Sequence, residues 1–548
     1  MNTVYSVNSN NPANSNNSVK QILIVGGGTA GWLTAAFLAR QLASNRAYGV
    51  QIRLVESPEI GIIGVGEGSF PSIRGTLAAI GIDEARFVRE CHATFKQGIR
   101  FDHWLHTPGT NAIHSPQQQH YFHPFNQPSQ RNGTPELLPY WLYGVAGKEL
   151  PFAQAVSMQK RIADASRAPK RSSDADFMGP MNYAYHFDAA LFAKLLATQA
   201  KGLGVHHLLG NVQEVQLRDD GAIAAVHTGE HGALRADLYI DCTGFRARLI
   251  GQALDSEFHS VSDTLFVDRA LAVQVPYPRN DSPIPSYTIS TAQEAGWIWD
   301  IGLQERRGVG YVYSSRHTDQ ASAEQVLRHY LGAQGQDLQP RLLELKLGYR
   351  PRPWIKNCVA IGLSGGFLEP LEASGIGLVE TAAYLLAYLF PYHGEFEVSA
   401  QHFNQQMAQR YERIVDFIKL HYCISQRRDH RFWIDNTDEA SIPQSLRDKL
   451  SLWRHRPPHR LDFVTDLEMY PPSSWQYVLY GMHYPTQIHP SMLDASKLVL
   501  VEQEFAVIAA MSQRATQDLP DHRAYLSQLC RKAESQPETK KTISYAMR

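Results

Sequence analysis

One glycine-rich turn constrains this chain more than any other feature. Gly26-Gly27-Gly28-Thr29-Ala30-Gly31 follows the apolar run Gln21-Ile22-Leu23-Ile24-Val25 and opens into helical spacing of apolar residues from 32 to 42. A GxGxxG hexad is weak by itself, but between a buried strand and a helix it marks a dinucleotide-binding βαβ unit. Gly26 permits the tight turn, Gly28 lets the backbone approach a pyrophosphate, and Gly31 lets helix pack closely on strand. Thr29 and Ala30 begin that helix, whose free N–H groups and positive dipole end suit phosphate oxygens. A second strand over residues 50–56 completes the unit and ends on Glu56, a carboxylate placed for a ribose diol. These residues alone leave NAD and FAD open. A second glycine loop soon afterwards, Gly64-Val65-Gly66-Glu67-Gly68, tips the balance toward a flat cofactor lying close to backbone.

The rest of the chain reads as mixed sheet followed by helices. A β pair is expected over 204–217 and 222–228 around the turn Asp219-Asp220-Gly221, then a strand over 236–241 ending at Cys242-Thr243-Gly244. Helical spacing dominates from 376 onward, with breaks at Pro457-Pro458 and Pro471-Pro472. The expected division is a disordered tail over 1–19, an FAD-binding box with substrate-site insertions over 20–390, and a mainly helical capping region over 391–548. A net charge of -1 leaves no electrostatic footprint for nucleic acid. The Asn- and Ser-rich tail lacks the basic and apolar regions of a signal peptide. No apolar run reaches the ~18 residues of a membrane span. Five scattered cysteines, Cys91, Cys242, Cys358, Cys423 and Cys530, form no CxxC pair, which fits a reducing cytoplasm better than a disulfide framework or a zinc ribbon.

Further ordered blocks accompany the glycine turn: Cys91-His92-Ala93-Thr94-Phe95-Lys96, Tyr185-His186-Phe187-Asp188, Asp241-Cys242-Thr243-Gly244-Phe245-Arg246, Gly296-Trp297-Ile298-Trp299-Asp300-Ile301 and Phe367-Leu368-Glu369-Pro370-Leu371-Glu372. With these the sequence resembles the flavin-dependent halogenase family, best known from the tryptophan halogenases, from about residue 20 to 480. The resemblance implies an α/β fold, a monooxygenase-like FAD-binding box of Rossmann type with a helical C-terminal pyramid. It implies FADH2, O2 and chloride or bromide as the reactants that yield hypohalous acid. It also places Gly362 and Leu363 against the cofactor, beside Gly64, Gly66 and Glu67. Trp297 and Trp299 are the family's signature wall, which separates halogenases from related flavin monooxygenases; Gly302 stands where that signature has proline. In the family the signature goes with a separate NAD(P)H-dependent flavin reductase, and no second GxGxxG here lies between a strand and a helix. A homodimer is a family-level expectation.

Lys96 matches the family's essential lysine, and an amine suits that role because it can hold hypohalous acid by hydrogen bonding or form a haloamine with it. In a dry tunnel its pKa should fall, raising the share of free amine. Residues 95–101 alternate, which suggests one strand with Lys96, Gly98 and Arg100 on a common face and room for an oxidant at Gly98. Glu372 matches the second essential residue and would take the ring proton from the cationic intermediate of aromatic substitution; Glu369, three residues earlier, is a structural decoy. By family position Ser374 and Gly375 form the halide site, and His123 and Phe125 sandwich the aromatic substrate with Trp475 nearby. His120 and His123 form a His-x-x-His pair with no third ligand at hand, so a metal is not expected. The segment from Ser473 to Val478 looks shortened relative to tryptophan-specific relatives and Ala373 replaces a usual serine, so the expected substrate is indole or a larger indole- or phenol-bearing molecule, as in the less specialised bacterial branch. A flavin-dependent aromatic monooxygenase is the alternative, and a flavin-binding sensor without turnover a further rival.

Overall fold

The computed structural model describes residues 18–42, 49–59, 61, 66–109, 120–131, 133–147, 150–463 and 468–534. The glycine turn leaves the middle of a six-stranded sheet. Its spatial order is Trp354–Ile355, Cys358–Ala360, Leu238–Asp241, Gln21–Val25, Gln51–Glu56, His206–Leu209. All neighbours are parallel except the first pair. Four of the five residues of Gln21–Val25 are buried, as expected for a strand covered on both faces. Helix Thr29–Leu42 packs on helix Ala189–Gly202 over this sheet, and its ten buried residues are mostly Ala and Leu, small and straight enough for helix-on-sheet packing.

The segment expected as one strand over 204–217 divides in two. His206–Leu209 joins the parallel sheet beside Gln51–Glu56, and only Val212–Leu217 pairs antiparallel with Ile223–Thr228. Gly210 makes the break: its N–H donates to the Glu56 carbonyl at 2.9 Å and ends the parallel pairing. Strand propensity marks both pieces alike but carries no information about which neighbour each will find.

A seven-stranded sheet carries the signature strand Gly296–Gly302 near its centre, with Gly98–Asp102 and His120–Pro124 at one end. A small sheet of Glu67–Gly68, Ala184–Phe187 and Thr94–Lys96 bridges from the second glycine loop. The alternating stretch 95–101 is therefore not one strand. It breaks at Gln97, whose N–H turns to the Ser286 carbonyl at 2.7 Å, so Lys96 belongs to one sheet and Arg100 to another. Gly98 leaves no passage for an oxidant either. A Cβ there would lie 2.3 Å from the His123 carbonyl oxygen and 2.9 Å from the Phe122 ring, so the glycine serves close strand approach.

After Gly366–Phe367 the described chain adds no strand to any sheet; helices Ser374–Tyr388, Phe396–Cys423, Pro472–Gly481, Leu498–Asp518 and His522–Glu534 dominate. At the other end Val19 is already buried and its N–H donates to the Tyr392 carbonyl at 3.3 Å, so packing begins before residue 20; residues 1–17 of the expected tail lie outside the described residues. Among the described residues no helix is long and apolar enough to cross a membrane, and no group of three or more His, Cys, Asp or Glu could hold a metal ion.

Candidate active site

The glycines of the first turn differ in what they are needed for. Gly26 has φ +114°, and a Cβ on it would stand 2.2 Å from the Cys242 carbonyl oxygen; on Gly31 it would stand 1.9 Å from the Gly26 oxygen. Both are demanded by packing. Gly28 has nothing within 4 Å of its Cβ position, so it faces open space at the helix N-terminus where Thr29 and Ala30 follow. Glu56 folds over Gly27, whose Cβ would meet its carboxylate, and Oε1 lies 2.7 Å from His207 Nε2. Across the cleft Gly362, at φ +79°, approaches Ala30 too closely for a side chain, and Leu363 is half-exposed beside it. Gly66 also lies at positive φ, and burial raises the Glu67 carboxyl to about 7. Gly64 lies outside the described residues.

Lys96 is fully buried, at 0 % exposure. Its ammonium donates to the Ser69 carbonyl at 3.4 Å and stands 5.3 Å from the centre of the Phe125 ring. Burial lowers its pKa to about 8, against a pull upward from Glu372. The space around the amine depends on Gly68 of the second glycine loop. A Cβ there would lie 3.2 Å from Lys96 Nζ and 3.4 Å from Ala373 Cβ, so this glycine is where the second glycine loop, the lysine and the neighbour of Glu372 converge. His186, on the strand paired with Lys96, binds Thr288 Oγ1 at 2.8 Å.

Glu372 is held by strained backbone and two imidazoles. Glu372 at φ +66° and Ala373 at φ +57° are successive left-handed residues, each costing roughly 1–3 kcal/mol, a strain that persists where surrounding structure imposes it. The turn puts Ser374, buried, and Gly375, exposed, at the start of a 15-residue helix with unsatisfied N–H groups. The Glu372 carboxylate lies 2.8 and 2.9 Å from His123 Nδ1 and 3.1 Å from His421 Nε2. Burial pushes this carboxyl upward, but the charge and hydrogen bonds of the two histidines prevail and hold it near 2. Sequence reasoning missed His421, whose place in the long C-terminal helix carries no motif. Glu369 takes a different partner set: it accepts from Trp297 Nε1 at 2.9 Å and from the Tyr422 hydroxyl at 2.7 Å, and burial raises it to about 7. It thus anchors the signature tryptophan, while Trp299 packs flat against Gly310 one strand away. Gly302 keeps its strand pairing with Arg307 and accepts from Thr94 Oγ1 at 2.6 Å.

A cavity of about 370 Å³ opens on this cluster. His123, Phe125, Phe70 and Tyr470 give it aromatic walls, and Asn126, Asn182 and Ser473 give it neutral polar groups; among the described residues no Asp, Glu, Lys or Arg lines it. Trp475 was expected in this wall and is not there. It is 1 % exposed behind it, against Phe417 and Trp453 at 5.0 and 5.5 Å, because helix Pro472–Gly481 turns Ser473 and Ser474 to the cavity and the indole to the core. A larger groove, of about 1080 Å³, runs along the opposite edge of the six-stranded sheet past Trp354 and Phe396, away from all of these residues.

A family model described as tryptophan halogenase matches residues 21–497. The chain is 34% identical over 530 residues to a tryptophan 6-halogenase of Streptomyces toxytricini, covering 92% of this chain and 98% of that one. A tryptophan halogenase from Shewanella frigidimarina superposes with a TM-score of 0.89 at 41% identity, covering 94% and 98% of the two chains. A flavin-dependent halogenase from Xanthomonas campestris does so with 0.83 at 36%, covering 94% and 99%.

Proposed function

This chain belongs to the tryptophan halogenase family and is a flavin-dependent enzyme that uses FADH2, O2 and halide, and we propose that it places chloride or bromide on the ring of an indole-type substrate. The observation that carries the proposal is the burial of Lys96 and Glu372 around one junction, where Gly68 meets both the amine and Ala373, next to an aromatic-walled cavity. The open Cβ space at Gly28 and the close approach of Gly362 to Ala30 fit a flavin dinucleotide. Gly26, Gly28, Thr29, Ala30, Gly31, Glu56, Gly66, Glu67, Gly362 and Leu363 would hold it. Bound there in reduced form, the flavin supplies with O2 and halide the hypohalous acid that the rest of the site uses. Its electrons come from a separate reductase.

Ser374 and Gly375 bind the halide through helix N-terminal N–H groups. Lys96 holds hypohalous acid in a site without bulk water, where a single hydrogen bond is worth more than in solution. His123 and Phe125 flank the ring so that one carbon meets the oxidant. As the carbon–halogen bond forms, the oxygen–halogen bond breaks and the hydroxide leaves as water with a proton from Lys96. Glu372 takes the ring proton, and its ionised state at working pH suits a base. Among the described residues the lining is neutral and suits a bare ring, so indole is used more readily than the tryptophan that the name of the Streptomyces relative gives.

The test is incubation of the purified protein with FAD, a flavin reductase, NADH and bromide or chloride, against a panel of indole, tryptophan and phenols read by mass spectrometry. Replacement of one hydrogen by halogen, with its isotope pattern and greater turnover for indole, is expected. A halide-independent gain of one oxygen would establish the monooxygenase instead.

A further inference from the structure

The two ring nitrogens of His421 both face acceptors. Nδ1 lies 2.9 Å from the Phe417 carbonyl oxygen one turn back in the same helix, and Nε2 lies 3.1 Å from Glu372 Oε1. A carbonyl oxygen can only accept, so Nδ1 carries a hydrogen. A hydrogen must then also lie between Nε2 and Glu372, on one or the other. The second histidine decides which. His123 Nδ1 sits 2.8 and 2.9 Å from the two carboxylate oxygens, a near-even straddle that suits an ionised carboxylate with equivalent oxygens rather than a carboxylic acid with a hydroxyl on one side. The geometry thus sets His421 Nε2 to donate to an ionised Glu372. That residue stands in the last turn of the 28-residue helix Phe396–Cys423, where the dipole favours a cation. It is fully buried, with Phe101, Phe417 and Trp104 rings 5.0, 5.2 and 6.0 Å away, so little water screens it from Glu372.

We propose that His421 is a positioning residue for Glu372: it stores the proton that keeps this buried carboxylate ionised and oriented, ready to receive the proton released by the ring. The inference deepens the proposed halogenation and rests on Glu372 being its base. Among the described residues the other titratable groups facing the carboxylate are Lys96 from the small sheet, His123 and Tyr121 from strand His120–Pro124, and Tyr470 ahead of helix Pro472–Gly481. Among the described residues only His123 also touches the carboxylate; it contributes to the same lowering and lines the cavity, whereas His421 does not line it. When the ring proton is lost, the C–H electron pair returns to the ring and the proton moves to a Glu372 oxygen. Passage of that proton from Glu372 to Lys96, which gave one to the departing hydroxide, restores both groups.

A competition between indole and ring-deuterated indole in equal amounts, with FAD, reductase, NADH and bromide, reads the proton-removal step whatever the rate of oxidant supply. The parent should give both products equally, because attack on the ring decides the outcome. His421→Phe leaves the carboxylate buried without its cation. Its product should be enriched in the protiated form, turnover should fall about 10²-fold, and the acid limb of the rate should climb into the range of about pH 5 to 8. His421→Gln supplies a neutral N–H donor, so it should recover part of the turnover but keep the raised acid limb, and it decides the matter if the phenylalanine variant does not fold. An even product ratio together with a parental acid limb in a folded His421 variant overturns the proposal, however slow the variant is. If Glu372→Gln keeps parental halogenation, the base itself is wrong. If Glu372→Gln is inactive while the His421 variants keep the parental ratio and pH profile, only the role of His421 falls.

Discussion

Replacing Lys96 with methionine should stabilise the protein while abolishing halogenation. The lysine is fully buried, and desolvation lowers its pKa from 10.5 to about 8. At 1.36 kcal/mol per pKa unit, holding the ammonium in this site costs about 3 kcal/mol at pH 7 relative to the unfolded chain. The sign follows from proton counts: between pH 8 and 10.5 the unfolded chain binds the proton and the folded protein does not, so stability rises with pH in that window and the cost vanishes above it. Methionine matches the length of the stem and removes the charge. If all 548 residues unfold as one unit, the unfolding entropy near 60 °C is about 1.1 kcal/mol/K, which converts the gain to about 3 °C in melting temperature at pH 7. The measurement is paired thermal denaturation of parent and Lys96→Met at pH 7, 9 and 10.5, with FAD absent from both. The difference should be largest at pH 7 and shrink toward zero at pH 10.5, while halogenation falls at least about 10²-fold at every pH. A variant that melts lower than the parent at pH 7, or an advantage that does not diminish with alkali, would refute the argument from burial.

Glu372→Gln should lose halogenation by about 10²- to 10⁴-fold and flatten the acid side of the stability profile. The carboxyl is held near 2 in the folded protein, so its contribution is present above its ordinary value of 4.5 and is lost as pH falls from 4.5 toward 2; denaturation followed over that window checks it. The glycines of the cofactor turn should separate cleanly in one experiment. Gly28→Val, with no neighbour within 4 Å of its Cβ, should melt like the parent without cofactor yet bind FAD at least about tenfold more weakly by fluorescence titration, whereas Gly31→Val, with backbone oxygen 1.9 Å from its Cβ, should fail to accumulate as folded protein.

Much of the architecture was written into local patterns. Gln21–Val25, the glycines after it and helix Thr29–Leu42 form contiguous elements whose burial is set by their own residue order, so strand, turn and helix were all legible. Lys96 and Glu372 were visible only as parts of motifs, because residue order says nothing about which side chains will share a buried chamber. The misreadings have the same root. Alternation over 95–101 described a strand but not the switch of sheet at Gln97, and the aromatic Trp475 described a ring but not the helix rotation that turned it inward.

The chain's own order of residues thus determined the dinucleotide turn, the succession of α/β box and helices, and the chemical types available for catalysis. Tertiary structure alone decided which of them work together. His123, Glu372 and His421 meet within 3.1 Å from positions 249 and 49 residues apart, and His421 is held for that contact by a carbonyl in a third place, Phe417 one helical turn back. Hydrogen bonds and Coulomb energies fall off over a few ångströms of space and are indifferent to distance along the chain. The charge state of a buried carboxylate is therefore a property of the folded neighbourhood, and no local segment contains it.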